Sequence, residues 1–258
     1  MKRLHRIARG LILPAVLVII WQVVGAMLTQ DVKRMPIPSR VLVAATDLIE
    51  SGDLPSAIAQ SLTRVFSGFA VAALVAVPLG LAMGSMRRVE RNLDPLIESF
   101  RPIAAIAVLP LAILWMGTGT AAAVFIVAYA AFFPLVINTV AGVKRVDRNL
   151  LQAAATMGIS RITTLRTVIF PGALPSIGVG MRISLGVAWT AIIAAELAVG
   201  AKSGGGGSGG IGQMMFVFYA YSIELNRIVV CMIAVGIVAY ALDRGLRAVL
   251  AWSMPWAR

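Results

Sequence analysis

The sequence predicts an all-α membrane protein with six transmembrane helices, and three observations predict it. Of its 258 residues, 59% are hydrophobic and only 13% charged, with a mean hydropathy of +0.90, whereas soluble domains carry roughly 25% charged residues. Apolar runs long enough to cross a bilayer recur between short polar connectors. Lys and Arg gather in alternate connectors. Six spans of about 20 residues would use roughly 120 positions, which leaves loops and tails but no room for an appended soluble domain.

The first apolar run is Leu11–Leu28, behind Lys2, Arg3, Arg6 and Arg9. A signal peptide shares these features, but an 18-residue run containing Trp21 reads better as an uncleaved first helix. Thr29–Thr63 is polar and mixed, with a short surface helix expected at Arg40–Glu50. The second span is Val65–Gly84, and a charged connector, Ser85–Glu98, leads to a third at Ile103–Met116, with Pro102 at its start and Pro110 inside. Gly117-Thr118-Gly119 turns the chain into the fourth, Ala121–Val143, which carries Pro134. Proline is tolerated in membrane helices where neighbours re-satisfy the freed carbonyl. A basic loop, Lys144–Pro175, precedes the fifth span, Ile177–Val199; Lys202–Asn226 then leads to the sixth, Ile228–Leu242, which can continue toward Trp252. Residues 1–59 thus form a tail, first helix and external segment, and residues 60–258 a core of five spans with the loop 144–175.

The charge distribution orients this layout. With the N-terminus inside, the cytoplasmic segments hold 16 basic residues: Lys2, Arg3, Arg6, Arg9, Arg87, Arg88, Arg91, Arg101, Lys144, Arg145, Arg148, Arg161, Arg166, Arg244, Arg247 and Arg258. The external segments hold five: Lys33, Arg34, Arg40, Lys202 and Arg227. This is the positive-inside asymmetry, and it places both termini of a multi-pass protein in the cytoplasm. It also explains the net charge of +12 without nucleic acid. One Cys, Cys231, and one His, His5, supply no metal or haem ligand set.

Few motifs carry chemistry. Gly207, Gly209 and Gly212 spell G-x-G-x-x-G, but that fingerprint binds a dinucleotide only between a strand and a helix. Here it falls in an external loop, where the run Ser203–Gly212 reads as a flexible linker. No P-loop occurs, so this chain binds no ATP through one. Gly80 and Gly84 form a small-xxx-small pair, read as helix packing. Ionisable groups inside spans are costly and usually face a cavity or a partner, which singles out Arg182 and Glu196. Their 14-residue separation puts them within about 40° of one face and roughly 21 Å apart. Arg64, at the external start of the second span, is expected to snorkel to the headgroups.

The strongest signal lies in Leu150–Pro175. Leu151–Met157 is a good helix former, Gly158 ends it, and Arg161–Ile169 is a second amphipathic stretch before Pro171 and Pro175. The small face Ala153–Ala155 invites close approach by a partner. Gln152-Ala153-Ala154, Gly158, Val168, Phe170 and Pro171 fall at the spacings of E-A-A-x3-G-x9-I-x-L-P. In this the sequence resembles the permease subunits of binding-protein-dependent ABC importers, with Gln152 in place of the acid. Pro36-Ile37-Pro38-Ser39, Ser61-Leu62-Thr63-Arg64-Val65, Arg101-Pro102-Ile103, Phe133-Pro134 with Asn138-Thr139, and Ala194-Ala195-Glu196 are similar to the nitrate/sulfonate/taurine/bicarbonate branch.

The resemblance implies a type I importer permease fold, in which Gln152, Ala153, Ala154, Gly158 and Pro171 belong to a coupling helix docked on an ATPase subunit. It implies two permease copies, most simply a homodimer, with an ABC ATPase dimer that holds ATP-Mg and an external solute-binding protein. This chain would bind no cofactor or metal and catalyse no reaction. The cargo would be a small oxyanion such as a sulfonate, taurine, nitrate or bicarbonate. Arg64, Pro110, Trp115, Asn138, Arg182 and Glu196 are candidates for the translocation path. The rival is a secondary transporter or channel independent of an ATPase. The sequence shows neither the internal repeats of the former nor the filter or charged ring of the latter.

Overall fold

The computed structural model describes residues 2–28, 36–200 and 209–254, and every regular element among them is helical. Helix α1 spans Lys2–Leu28, α2 Pro38–Glu50, α3 Asp53–Ser85, α4 Arg87–Phe100 and α5 Ala105–Met116. Then come α6 at Thr120–Lys144, α7 at Arg148–Thr156, α8 at Arg161–Thr164, α9 at Phe170–Gly200, α10 at Ile211–Val217 and α11 at Leu225–Ser253. Two π-helical turns, Leu165–Ile169 and Phe218–Ser222, follow α8 and α10.

The centre is a three-helix stack in which α3 lies along α6 and α6 along α9. Close approach of α3 to α6 depends on glycine. A Cβ on Gly80 would meet the Thr139 side chain at 2.6 Å, and one on Gly84 would meet Val143 at 2.5 Å. The small-xxx-small pair read from the sequence is therefore a packing seam. At the α10 end the core gathers Val65, Val127, Ala188, Trp189, Ile192 and Ile211. At the α7 end it gathers Met83, Leu135, Val136, Val143 and Ala173. α11 packs on α9, where Trp189 Nε1 donates to the Val235 carbonyl at 3.2 Å.

Four runs are long and apolar enough to cross a membrane: Asp53–Ser85, Thr120–Lys144, Arg161–Val199 and Leu225–Ser253. A fifth is possible only if α4 and α5, bent by 96° to each other, count as one broken span. The expected third span, Ile103–Met116, is a short helix, α5, within that bent pair. α5 has 12 residues, about 18 Å of helix against roughly 30 Å of hydrocarbon. Pro102 has no N–H to continue the α4 ladder, and Ala104 is extended (φ −61°, ψ 135°). Tyr129 on α6 fastens the corner by donating its hydroxyl to the Phe100 carbonyl at 3.1 Å. In α1 the apolar part with described side chains, Ala15–Met27, is shorter than a full span.

Three further elements differ from expectation. α3 begins at Asp53 rather than Val65, because Pro55 falls in its first turn, where no intrahelical N–H is needed. The 59/60 division read from the sequence therefore falls inside one helix. Pro171 and Pro175 do not end the helix that returns from the loop: Arg161–Val199 runs on for 39 residues. The π turn Leu165–Ile169, in which the Phe170 N–H reaches the Leu165 carbonyl, shifts the register just before Pro171 and absorbs its missing donor. Finally, residues 209–226 are not a flexible loop. α10 buries Ile211 fully and the turn after it buries Phe218. The remainder of the glycine run, residues 203–208, lies outside the described residues.

Candidate functional site

Glu196, on α9 near the α10 end, is 3% exposed and is the only buried acidic or basic side chain among the described residues. Its Oε1 accepts from Arg64 Nη1 at 2.7 Å and from Ser61 Oγ at 3.0 Å. Oε2 lies 2.8 Å from the same hydroxyl and accepts the Gly212 N–H at 3.0 Å. Ser61 Oγ in turn accepts the Ile211 N–H at 3.0 Å. One carboxylate and one hydroxyl thereby satisfy the first two N–H groups of α10, which a helix start leaves without partners. A charge in a low-dielectric interior is tolerable only when paired and fully hydrogen-bonded, and here it is.

The local sequence builds this arrangement. Ser61 and Arg64 are three apart on α3, so they share a face. Gly210 lets the backbone reach the carboxylate: a Cβ there would sit 1.9 Å from Glu196 Oε1. Beside the pair a cavity of about 60 Å³ is lined by Arg64, Thr118, Gly119, Glu196 and Gln213. Ser61 and Glu196 spend their hydrogen bonds on each other, on Arg64 and on the start of α10, so the geometry bolts α10 to α3 and α9. Arg64 does not snorkel outward; its side chain is 16% exposed and turned onto Glu196.

Arg182 is also committed, but to a different helix. Its Nε meets Asp243 Oδ1 on α11 at 2.5 Å, and Arg247 meets the other oxygen of the same carboxylate. Arg182 and Glu196, predicted from spacing to share a face of α9, thus pair with different helices, α11 and α3. Pro110 and Trp115 lie on the uncovered side of α5, with Trp115 66% exposed, while Leu109 and Ala112 bury the other side. Asn138 sits on α6, donating Nδ2 to the Pro134 carbonyl at 2.7 Å. It borders an open groove of about 450 Å³ between the α4–α5 corner, α6 and α9, shared with Arg101, Tyr129, Phe133 and Ile183. The groove lining holds one cation and no carboxylate.

At the opposite end, α7 is capped at both termini. The Asp147 carboxylate accepts the Asn149 N–H at 2.9 Å. At the other end Gly158 takes φ +69°. Its N–H reaches the Ala155 carbonyl and the Ile159 N–H the Ala154 carbonyl, both at 3.1 Å, which is the Schellman arrangement. Ser160 then caps α8 through the Thr163 N–H at 3.2 Å. Gln152 and Ala153 face outward, Gly158 is exposed, Pro171 is half-buried, and Ala154 is 4% exposed against the chain itself. Around Gln152 and Ala153 stand uncovered apolar side chains, with Met157 75%, Ile162 67% and Leu150 55% exposed.

Sequence reasoning did not single out Ser61, Asp243 or the Tyr129 staple. One signal was available for the first: Ser61 and Arg64 begin a span at the same membrane level at which Glu196 ends another. Among the described residues no three His, Cys, Asp or Glu side chains converge as a metal site would require.

Comparison with known proteins agrees with this architecture. Residues 76–248 match the family described as "Binding-protein-dependent transport system inner membrane component". The chain is 36% identical over 247 residues to the taurine transport system permease protein of Escherichia coli, covering 94% of this chain and 87% of that protein. It is 33% identical over 248 residues to a putative aliphatic sulfonates transport permease protein of Bacillus subtilis, with coverage of 96% and 87%. It is 32% identical over 249 residues to the nitrate import permease protein of a Synechocystis, with coverage of 93% and 86%. Among solved structures it resembles an inward-facing MetNI methionine ABC transporter chain at a TM-score of 0.58 and 21% identity, covering 76% of this chain and 96% of that one. A bundle of long apolar helices is thus matched in both sequence and fold, and the chain belongs to the inner-membrane permease subunits of binding-protein-dependent ABC importers, in the branch that includes nitrate, sulfonate, taurine and bicarbonate systems, as a transport subunit and not an enzyme.

Proposed function

We propose that two copies of this chain form the membrane pathway of an importer that carries a small oxyanion by alternating access. Two ATPase subunits, which themselves hold ATP-Mg, dock at the α7 face, and a solute-binding protein delivers cargo from the other side. The observation that carries the reading is the α7–Gly158–α8 turn. It is held rigid by its own hydrogen bonds, yet presents Gln152 and Ala153 among uncovered Leu150, Met157 and Ile162. A helix so uncovered fits a groove on another subunit. Contacts that differ between two states of that subunit would bias the permease between inward-facing and outward-facing forms.

In this reading Gln152, Ala153, Ala154, Gly158 and Pro171 act in coupling: the first two by contact, Ala154 by packing α7 onto its own chain, and Gly158 and Pro171 by shaping the turn. α1 and the α4–α5 pair complete six membrane-associated segments with both termini cytoplasmic. The path follows the groove bordered by Asn138, with Pro110 and Trp115 on the uncovered α5 face toward the second copy. Relatives named for taurine, aliphatic sulfonates and nitrate share an anionic, oxygen-rich group, and the acid-free groove suits such a cargo. Arg64, Glu196 and Arg182 brace helices rather than line the path.

The test is native mass spectrometry of the gently solubilised complex, with uptake of a sulfonate, taurine, nitrate and bicarbonate panel. A two-plus-two assembly with P-loop subunits and uptake of one panel member supports the proposal. A chain that transports after ATP depletion overturns it.

A further inference from the structure

We infer that the junction of α9 and α11 at the α7 end binds the headgroup of an anionic phospholipid, gripped by Arg182, Arg244 and Arg247. Three guanidiniums gather there around a single carboxylate that pairs with two of them. Arg182 and Arg247 share Asp243, and Arg244 has no acidic partner among the described residues. Instead its Nε meets the Tyr240 hydroxyl at 3.0 Å, and its guanidinium lies 5.5 Å from that ring centroid. The arginines keep much of their surface open: the Arg182 and Arg247 side chains are 47% and 44% exposed. Asp243 orders two of them without neutralising the group.

Depth places the cluster at a headgroup plane. Arg182 lies 18 residues from Gly200, where α9 ends, and Asp243 lies 18 residues from Leu225, where α11 starts. Both therefore stand about 27 Å along the helix from the α10 end, close to the thickness of a hydrocarbon core. That puts them at the leaflet boundary nearest the α7 turn. The approach to them is apolar and uncovered. At 100° per residue, Ile233, Ile237, Tyr240, Arg244 and Arg247 fall on one face of α11, with Ile237 63%, Tyr240 60% and Ile233 49% exposed. An acyl chain lying along Ile233 and Ile237 brings its phosphodiester up to Arg244 and the exposed part of Arg247, and charge complementarity selects an anionic headgroup over a zwitterionic one.

The experiment delipidates the assembled complex, adds phosphatidylglycerol, phosphatidylcholine or inorganic phosphate, and reads bound mass by native mass spectrometry. Phosphatidylglycerol should bind and phosphatidylcholine should not. The double substitution Arg244→Gln/Arg247→Gln should weaken phosphatidylglycerol binding about tenfold or more, while Arg244→Lys/Arg247→Lys should retain most of it. Equal binding of both lipids, displacement by inorganic phosphate, or wild-type retention in the glutamine variant overturns the inference. So does a glutamine variant that splits the permease pair, because the face would then be a subunit contact. Uptake is not the readout, so the outcome is independent of the transport assignment.

Discussion

The two ends of the α3–α6–α9 stack solve opposite problems. At one, Glu196 is buried with Arg64, Ser61 and two N–H groups of α10, and every oxygen is occupied. At the other, α7 satisfies its backbone through Asp147 and Gly158 but leaves its side chains uncovered. The first end depends on polar groups that cannot be left alone. The second depends on backbone bonds that ask nothing of the exposed residues. A buried charge makes a position intolerant of change for reasons of folding, whereas an uncovered side chain on a self-sufficient turn is intolerant only if something docks there.

That contrast can be broken by substitution. Glu196→Ala strands Arg64, the Ser61 hydroxyl proton and the Gly212 N–H of α10, and should cost about 3–5 kcal/mol of stability, read as a lowered unfolding midpoint in mild detergent. Arg64→Ala combined with Glu196→Ala should cost less than the sum of the two, and additive losses would show that the pair does not couple. Ala153→Arg should do the reverse. Stability should stay within about 0.5 kcal/mol, while ATP-driven uptake should fall about tenfold or more for loss of a small docking residue. Ala153 is the informative position, because Ala154 is buried against its own chain and a large residue there would disturb folding as well.

Smaller effects sharpen the comparison. Gly158→Ala forces a Cβ into the left-handed region and should cost roughly 1 kcal/mol, visible as faster hydrogen exchange at Gly158 and Ile159 with the Glu196 cluster unaffected. Gln152→Glu should leave uptake within about twofold, as expected for an exposed surface change. Complete loss would mean that Gln152 meets an acidic partner.

How much was legible in the sequence follows the range of the forces involved. α6 was readable to within a residue at each end, because its composition is uniformly apolar and Lys144 marks the stop. The Gly158 end of α7 was readable because a helix-stopping glycine acts on its own neighbours; the Asp147 and Ser160 caps are as local but were not read. The continuation of α9 through Pro171 was not, since proline reads as a terminator and a π turn leaves no composition signal. Nor was the union of Arg64 with Glu196, 132 positions apart, which depends on how α3 and α9 pack. The corner between α4 and α5 was half-readable: Pro102 announced a break, but only the fold brings Tyr129 to hold it at 96°.

The run Arg161–Val199 has a mechanical consequence. Thirty-nine residues of continuous helix make a rod of about 58 Å. One tip of that rod continues from the Gly158 turn, and the other reaches past the Glu196 bolt. A tilt of about 5° over that length moves the far tip by about 5 Å, nearly one helical turn. Displacement at one membrane surface can thus arrive at the other through stiffness alone, with no relay of side chains between. The Arg64–Glu196 pair then works as the rivet that makes α3 and α10 travel with the rod.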